Sequence, residues 1–151
     1  SVHITTPYLA IDEPMRQALC SAGDSGVDVR LLLPGIPDHK FAYLAAQSHY
    51  GELLVHRVKI YIYEPGLLHG KTVLSDGEAA FVGSVNMDYR SFQLHFECGT
   101  VLYGVPAIEG LAEDIQRITD CSRRVTYQEW KSRPWYRKLL STLLRLFEMW
   151  M

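Results

Sequence analysis

Residues 27–35, VDVRLLLPG, restrict the fold more than any other stretch: a valine- and leucine-rich run closed by Pro34-Gly35. A second β-branched run, VHITT at 2–6, precedes it, and Asp12-Glu13-Pro14 between the two marks a helix start with proline in the first turn. That helix is expected near 13–22, with Gly23 as its stop. A strand, a helix and a strand in this order make a β-α-β unit, whose strands run parallel, and the unit commits the chain to the α/β class.

The alternation continues. Asp38 is a good N-cap for a helix over 39–54, with Phe41, Leu44, Ala45, Tyr50, Leu53 and Leu54 at roughly helical spacing. VKIYIY at 58–63 reads as a third strand and LLHGKTVLS at 67–75 as a fourth. Asp76-Gly77 then makes a tight hairpin turn into EAAFVG. ECGTVLYG at 97–104 is a further strand, and a helix is expected near 106–123. Strands outnumber crossover helices, so the sheet is mixed. A chain of 151 residues supports one domain with a sizeable core.

Charge divides the chain. Residues 1–122 hold eight Lys and Arg against fifteen Asp and Glu, a net of −7, while 123–151 hold seven against two, a net of +5. An acidic body with its basic residues in the tail argues against nucleic acid as a partner. From about Tyr127 to Met151 the tail is helix-like apart from Pro134, and it is expected to form a unit separate from residues 1–126. On a helical projection Leu139, Leu140, Leu143, Leu144, Leu146, Phe147 and Trp150 share one arc with Trp135, opposite Arg137, Lys138, Ser141, Arg145 and Glu148. Two readings of this face stand: it packs on the body, or it lies in the interface of an anionic membrane.

Three cysteines, Cys20, Cys98 and Cys121, lie far apart without a C-x-x-C pair, so neither a zinc ribbon nor a disulfide framework is expected. No run of 18 apolar residues occurs, and the first residues, SVHITTPYLA, read like the middle of something longer.

The chemistry concentrates at His69-x-Lys71. On an extended strand these two side chains share a face. A cation beside an imidazole keeps it neutral and nucleophilic while remaining available to an anion, which suits a phosphodiester. Asn86 supplies amide hydrogens to the same oxygens, and Gly83-Ser84 permits close backbone approach and adds a hydroxyl. Together they form the kind of clamp that stabilises a pentacoordinate phosphorus.

His69-x-Lys71-x4-Asp76-x6-Gly83-Ser84-x-Asn86 matches position for position the signature of the phospholipase D superfamily. The likeness runs along nearly the whole chain: TPY at 6–8, VDVRLLLPGIPDH at 27–39, IYIYEPGLLHGK at 60–71, NMDYRSFQLHFE at 86–97 and WKSRPWYRKLLSTLLRLF at 130–147 resemble the C-terminal half of a bacterial cardiolipin synthase. The resemblance implies a phospholipase-D-like mixed β-sheet flanked by helices, with a C-terminal amphipathic helix.

It also implies roles. His69 is the nucleophile or the general acid/base, Lys71 and Asn86 hold the phosphate, and Glu97 orients the histidine. Asp76 belongs to the motif, though its place at a hairpin turn gives it structural work. Ser84, His39 and His95 are candidates for substrate binding; a polar helix start explains His39 as well, and His95 stands where the family often has Asn. Gly70 stands where Ala is more usual. No metal or other cofactor is expected, since paired lysines supply the charge.

Displacement at phosphorus needs two histidines in line, and this chain carries one His-x-Lys. The resemblance implies a partner motif, from the N-terminal half of the same protein or from a second copy in a homodimer. The activity implied is transfer of a phosphatidyl group between two phosphatidylglycerol molecules through a phospho-histidine, with glycerol released, at the bacterial inner membrane on its cytoplasmic side or peripherally. The alternatives are a homodimeric single-motif phosphodiesterase, of phospholipase D or nuclease type, and a non-catalytic membrane-binding module.

Overall fold

The structure is a computed structural model and describes residues 1–145. Leu146, Phe147, Glu148 and Trp150, assigned above to the two faces of the tail, lie outside the described residues.

Three parallel strands form the centre: β1 (Val2–Thr5), β3 (Val29–Pro34) and β4 (Lys59–Tyr63), joined by crossover helices α1 (Glu13–Asp24) and α2 (Lys40–Val55). β3 is covered on both sides, with Val29, Leu31, Leu32 and Leu33 all buried. This is why its sequence is continuously apolar and does not alternate. An antiparallel meander flanks β1: β5 (Thr72–Ser75), β6 (Ala79–Gly83) and β8 (Gly99–Tyr103). β9 (Ser122–Val125) closes the other edge against β4, giving the order β8-β6-β5-β1-β3-β4-β9.

Two apolar layers sandwich this sheet. Leu31, Leu33, Ile60 and Ile62 meet Leu19 of α1 and Tyr50 and Leu53 of α2 on one face. On the other, Leu32, Leu74 and Ala80 meet Ile108 and Ile115 of α4 (Ala107–Asp120). A two-stranded ladder of β2 (Leu9–Ala10) and β7 (Met87–Asp88) sits apart from the main sheet and leads into α3 (Tyr89–Gln93).

Several local expectations are revised. The fourth strand begins at Thr72, so His69, Gly70 and Lys71 belong to the approach and not to the paired strand. The turn after β5 has three residues, with Asp76 (φ 53°) and Gly77 (φ 72°) both left-handed and the Glu78 amide donating to the Ser75 carbonyl at 3.0 Å. α2 is capped by His39 without a side-chain bond, because the Asp38 carboxylate is taken by the Tyr8 hydroxyl and the His39 amide. The helix expected to reach residue 123 ends at Asp120. Its last residues become β9, where Val125 is buried opposite Ile60 while Arg123 reaches Glu64 and Glu129.

The tail is two helices, α5 (Tyr127–Lys131) and α6 (Trp135–Arg145), separated around Pro134. Thr126 caps α5 by accepting from the Glu129 amide. Trp130 packs against Gly51 of α2, where a Cβ would come within 2.4 Å of the indole, and its Nε1 donates to the Gln47 carbonyl. α6 then packs along α2.

Candidate active site

The site forms where the parallel strands end and the approach to β5 begins. Tyr8 follows β1, Asp38 and His39 follow β3, and His69 and Lys71 precede β5. Ends of parallel strands are where α/β sheets gather functional loops. The segment after β6 delivers Ser84 and Asn86, held by the β2–β7 ladder and by the Thr6 hydroxyl, which accepts from the Met87 amide at 3.1 Å.

Gly83 makes that approach possible. A Cβ there would stand 2.6 Å from the Cys98 carbonyl oxygen, with the Phe81 ring also in its way. The close pairing of Gly83 with Gly99 therefore needs both small residues, and it aligns Ser84 with Glu97.

Glu97 is the best-anchored group. Its carboxylate accepts from the Ser84 hydroxyl on one oxygen and from the buried Ser91 hydroxyl, at 2.8 Å, on the other. These bonds, Ser84's first, lower its pKa below the ordinary carboxyl value, with His95 and Lys71 adding to the effect. Ser91 also accepts from Asn86 Nδ2 at 3.3 Å, so amide and carboxylate share one hydroxyl.

His69 is half exposed, with its ring edge-on to Tyr8 and its Nδ1 3.9 Å from Asp38 Oδ2. Tyr8 donates to the same Asp38 oxygen. Burial raises the Asp38 carboxyl, but the Tyr8 hydroxyl and the His39 amide outweigh it and the net shift is downward. Burial also pushes the Tyr8 phenol up, and Asp38 adds to the rise, so Tyr8 stays protonated as a donor. Lys71 folds back to donate to the His69 carbonyl at 3.0 Å. Burial lowers its ammonium pKa, against the pull of Asp38, Glu97 and Asp88.

A cleft of about 350 Å³ opens beside these groups, lined among others by Tyr8, His39, Phe41, Asn86, Arg90 and His95. The structure thus brings His39, Ser84, Asn86, His95 and Glu97 into the neighbourhood of His69 and Lys71. Glu97 has His95 as its histidine neighbour, at 3.9 Å, and Asp38 is the carboxylate facing His69. Asp76 stands at the opposite end of β5, in the turn to β6.

A family model described as the cardiolipin synthase, phospholipase-D-like domain matches residues 1–119. The chain belongs to this family.

Among its relatives, a cardiolipin synthase of Clostridium perfringens is 40% identical over 97% of the chain. The major cardiolipin synthase of Bacillus subtilis is 38% identical over the same share. The chain spans about three tenths of their length, 31% and 30% respectively. Its fold is that of Haemophilus influenzae phosphatidylserine synthase (TM-score 0.75, 17% identity, 99% of this chain and 41% of that one). It is equally that of Nuc, a phospholipase D family member from Salmonella typhimurium (0.70, 18%, 83% and 81%).

Tyr8, Asp38, Asp88, Arg90 and Ser91 join the site without having been singled out by sequence reasoning. Their signal lay in the TPY, PDH and NMDYRSF segments, which matched the family but carried no chemistry of their own. Asp38 was masked by its resemblance to a helix cap.

Proposed function

We propose that this chain is one catalytic half of a cardiolipin synthase and resembles the second of two phospholipase-D-like halves. The observation that carries the reading is the gathering of a half-exposed His69 and Lys71 with Asn86 and the serine-bound Glu97, beside an open cleft that Asn86, Tyr8 and His39 line.

The Asp38 carboxylate facing Nδ1 favours the tautomer protonated there, leaving Nε2 with the lone pair for attack on phosphorus. Nε2 then bonds to the phosphorus of phosphatidylglycerol while the bond to the glycerol oxygen breaks, and the leaving alkoxide takes a proton from the histidine of the other half. That second histidine next removes the proton of a second phosphatidylglycerol hydroxyl, whose oxygen displaces His69. Cardiolipin and glycerol are the products. The non-bridging oxygens are held by the Lys71 ammonium and by the Nδ2 hydrogen of Asn86 that Ser91 leaves unused. Glu97 fixes this frame through Ser84 and Ser91. His39 and His95, on the cleft wall, face the alcohol portion of the substrate, and Asp76 serves the turn.

The test is phosphatidylglycerol conversion by the longer protein carrying His69→Asn. Cardiolipin is expected to fall to background; near-normal synthesis overturns the reading. A second arrangement, two copies of this chain pairing their single motifs, draws support from the fold match over 81% of the Nuc chain. Solution mass measured beside phosphodiesterase activity separates the two, since an active dimer favours the second and an inactive monomer the first.

A further inference from the structure

An amphipathic helix that packs on its own domain normally buries its apolar stripe. α6 does the reverse. At about 100° per residue, Trp135, Tyr136, Leu139, Leu140 and Leu143 fall within an arc of about 140°. These five are 75%, 55%, 51%, 45% and 48% exposed. Ser141, on the opposite side, is 7% exposed, and this side packs against α2.

The inverted docking is well anchored. Trp130 is seated on Gly51, and Arg133 donates to Gln47 Oε1 at 2.9 Å while its guanidinium lies over the Tyr50 ring. Lys138 donates to the Lys131 carbonyl and lies over the Trp130 ring. The approach of α6 is thus set by α5 and the connection, through Trp130 and Arg133, and by Lys138 on α6 itself, and the apolar face is directed outward.

The surroundings of that face specify its partner. Residues 127–145 hold five Lys and Arg against one acidic residue, and Lys131 of α5 and Arg137 of α6 are exposed. Leucines under a rim of Trp, Tyr, Lys and Arg suit the boundary between acyl chains and anionic headgroups. No described helix is long and apolar enough to cross a membrane.

The geometry also relates this face to the cleft. Tyr127 lies near Leu54 and Arg57 at the end of α2, while Trp130 and Arg133 meet Gln47 and Tyr50 at its middle. The tail therefore advances toward the start of α2, where His39 and the exposed Phe41 line the cleft.

We infer that the outward face of α6 is an interfacial docking surface for an anionic lipid bilayer, which seats the mouth of the cleft at the headgroup level. This goes beyond the proposed chemistry and fails separately from it.

The test uses the 151-residue chain with vesicles of phosphatidylglycerol and phosphatidylcholine, against phosphatidylcholine alone. The chain is expected to float with the anionic vesicles, and high salt to weaken the binding. Leu139→Ser/Leu140→Ser/Leu143→Ser, whose changes are all at exposed positions, should bind about tenfold or more weakly at unchanged circular dichroism and melting temperature. Tryptophan emission should shift to the blue on binding, and less so in Trp135→Phe. His69→Asn should float normally. Failure of the native chain to float, or equal flotation of the triple variant, overturns the inference. So does a solution dimer that the triple variant dissolves, because the face then belongs to a second copy.

Discussion

Ser91 donates to Glu97 at 2.8 Å and accepts from Asn86 at 3.3 Å, so a single buried hydroxyl joins the carboxylate of the site to its amide. Ser91→Ala removes one of the two hydroxyls that Glu97 accepts from and the acceptor of the Asn86 amide. It should lower kcat for phosphatidyl transfer about tenfold or more with little change in KM, and reduce stability by about 1–2 kcal/mol. Steady-state kinetics and denaturant titration of the same preparation check both parts.

Lys71 gives the site a basic limit. Burial lowers its pKa from 10.5, so its charge is lost as pH rises through a folded value below 10.5. Substrate affinity should therefore decline on the alkaline side earlier than for an ordinary lysine. Lys71→Arg should push that limb upward in pH, whatever it costs in rate, because guanidinium does not titrate there.

Two motif glycines should respond oppositely to alanine. At Gly70 an added Cβ meets only the Thr5 methyl, at an ordinary 3.5 Å. Gly70→Ala should keep activity and gain a few tenths of a kcal/mol from a stiffer unfolded chain, about 0.5. At Gly83 the same atom meets backbone at 2.6 Å. Gly83→Ala should cost about 2 kcal/mol or more and remove activity, as read by thermal melting and turnover.

Acid should loosen the sheet through Asp28. Arg30 and Lys59 both bond its carboxylate, at 2.7 Å each, and Arg30 leads in holding its pKa well below the ordinary 3.8. A depressed carboxyl contributes stability that is present above 3.8 and lost as pH falls toward the folded value. Asp28→Asn should flatten that loss in melting temperature between neutral and strongly acidic pH.

Much of this was legible in the sequence because periodicity and motif agreed. VDVRLLLPG pointed to a strand of a parallel β-α-β unit, and spacing singled out His69, Lys71 and Asn86 as candidates. What escaped depended on partners remote along the chain. SRRV at 122–125 has no strong strand propensity and pairs only because β4 offers an open edge. Asp38 looks like a cap until Tyr8, thirty residues earlier, takes its carboxylate. The tail's amphipathicity was plain, but which side faces α2 rests on Gly51 and Trp130, a contact invisible to any helical projection.

The β2–β7 ladder pairs Leu9 with Met87, and Thr6 reaches the Met87 amide from 81 residues away. Closing so long a loop is entropically slow compared with local helix formation. During synthesis the β-α-β core can assemble while one wall of the candidate site is still missing, because Asn86, Ser91 and Glu97 have yet to emerge. The cleft, lined by Tyr8 and His39 from one end of the chain and by Asn86, Arg90 and His95 from far along it, therefore takes its shape only after the β-α-β core it rests on.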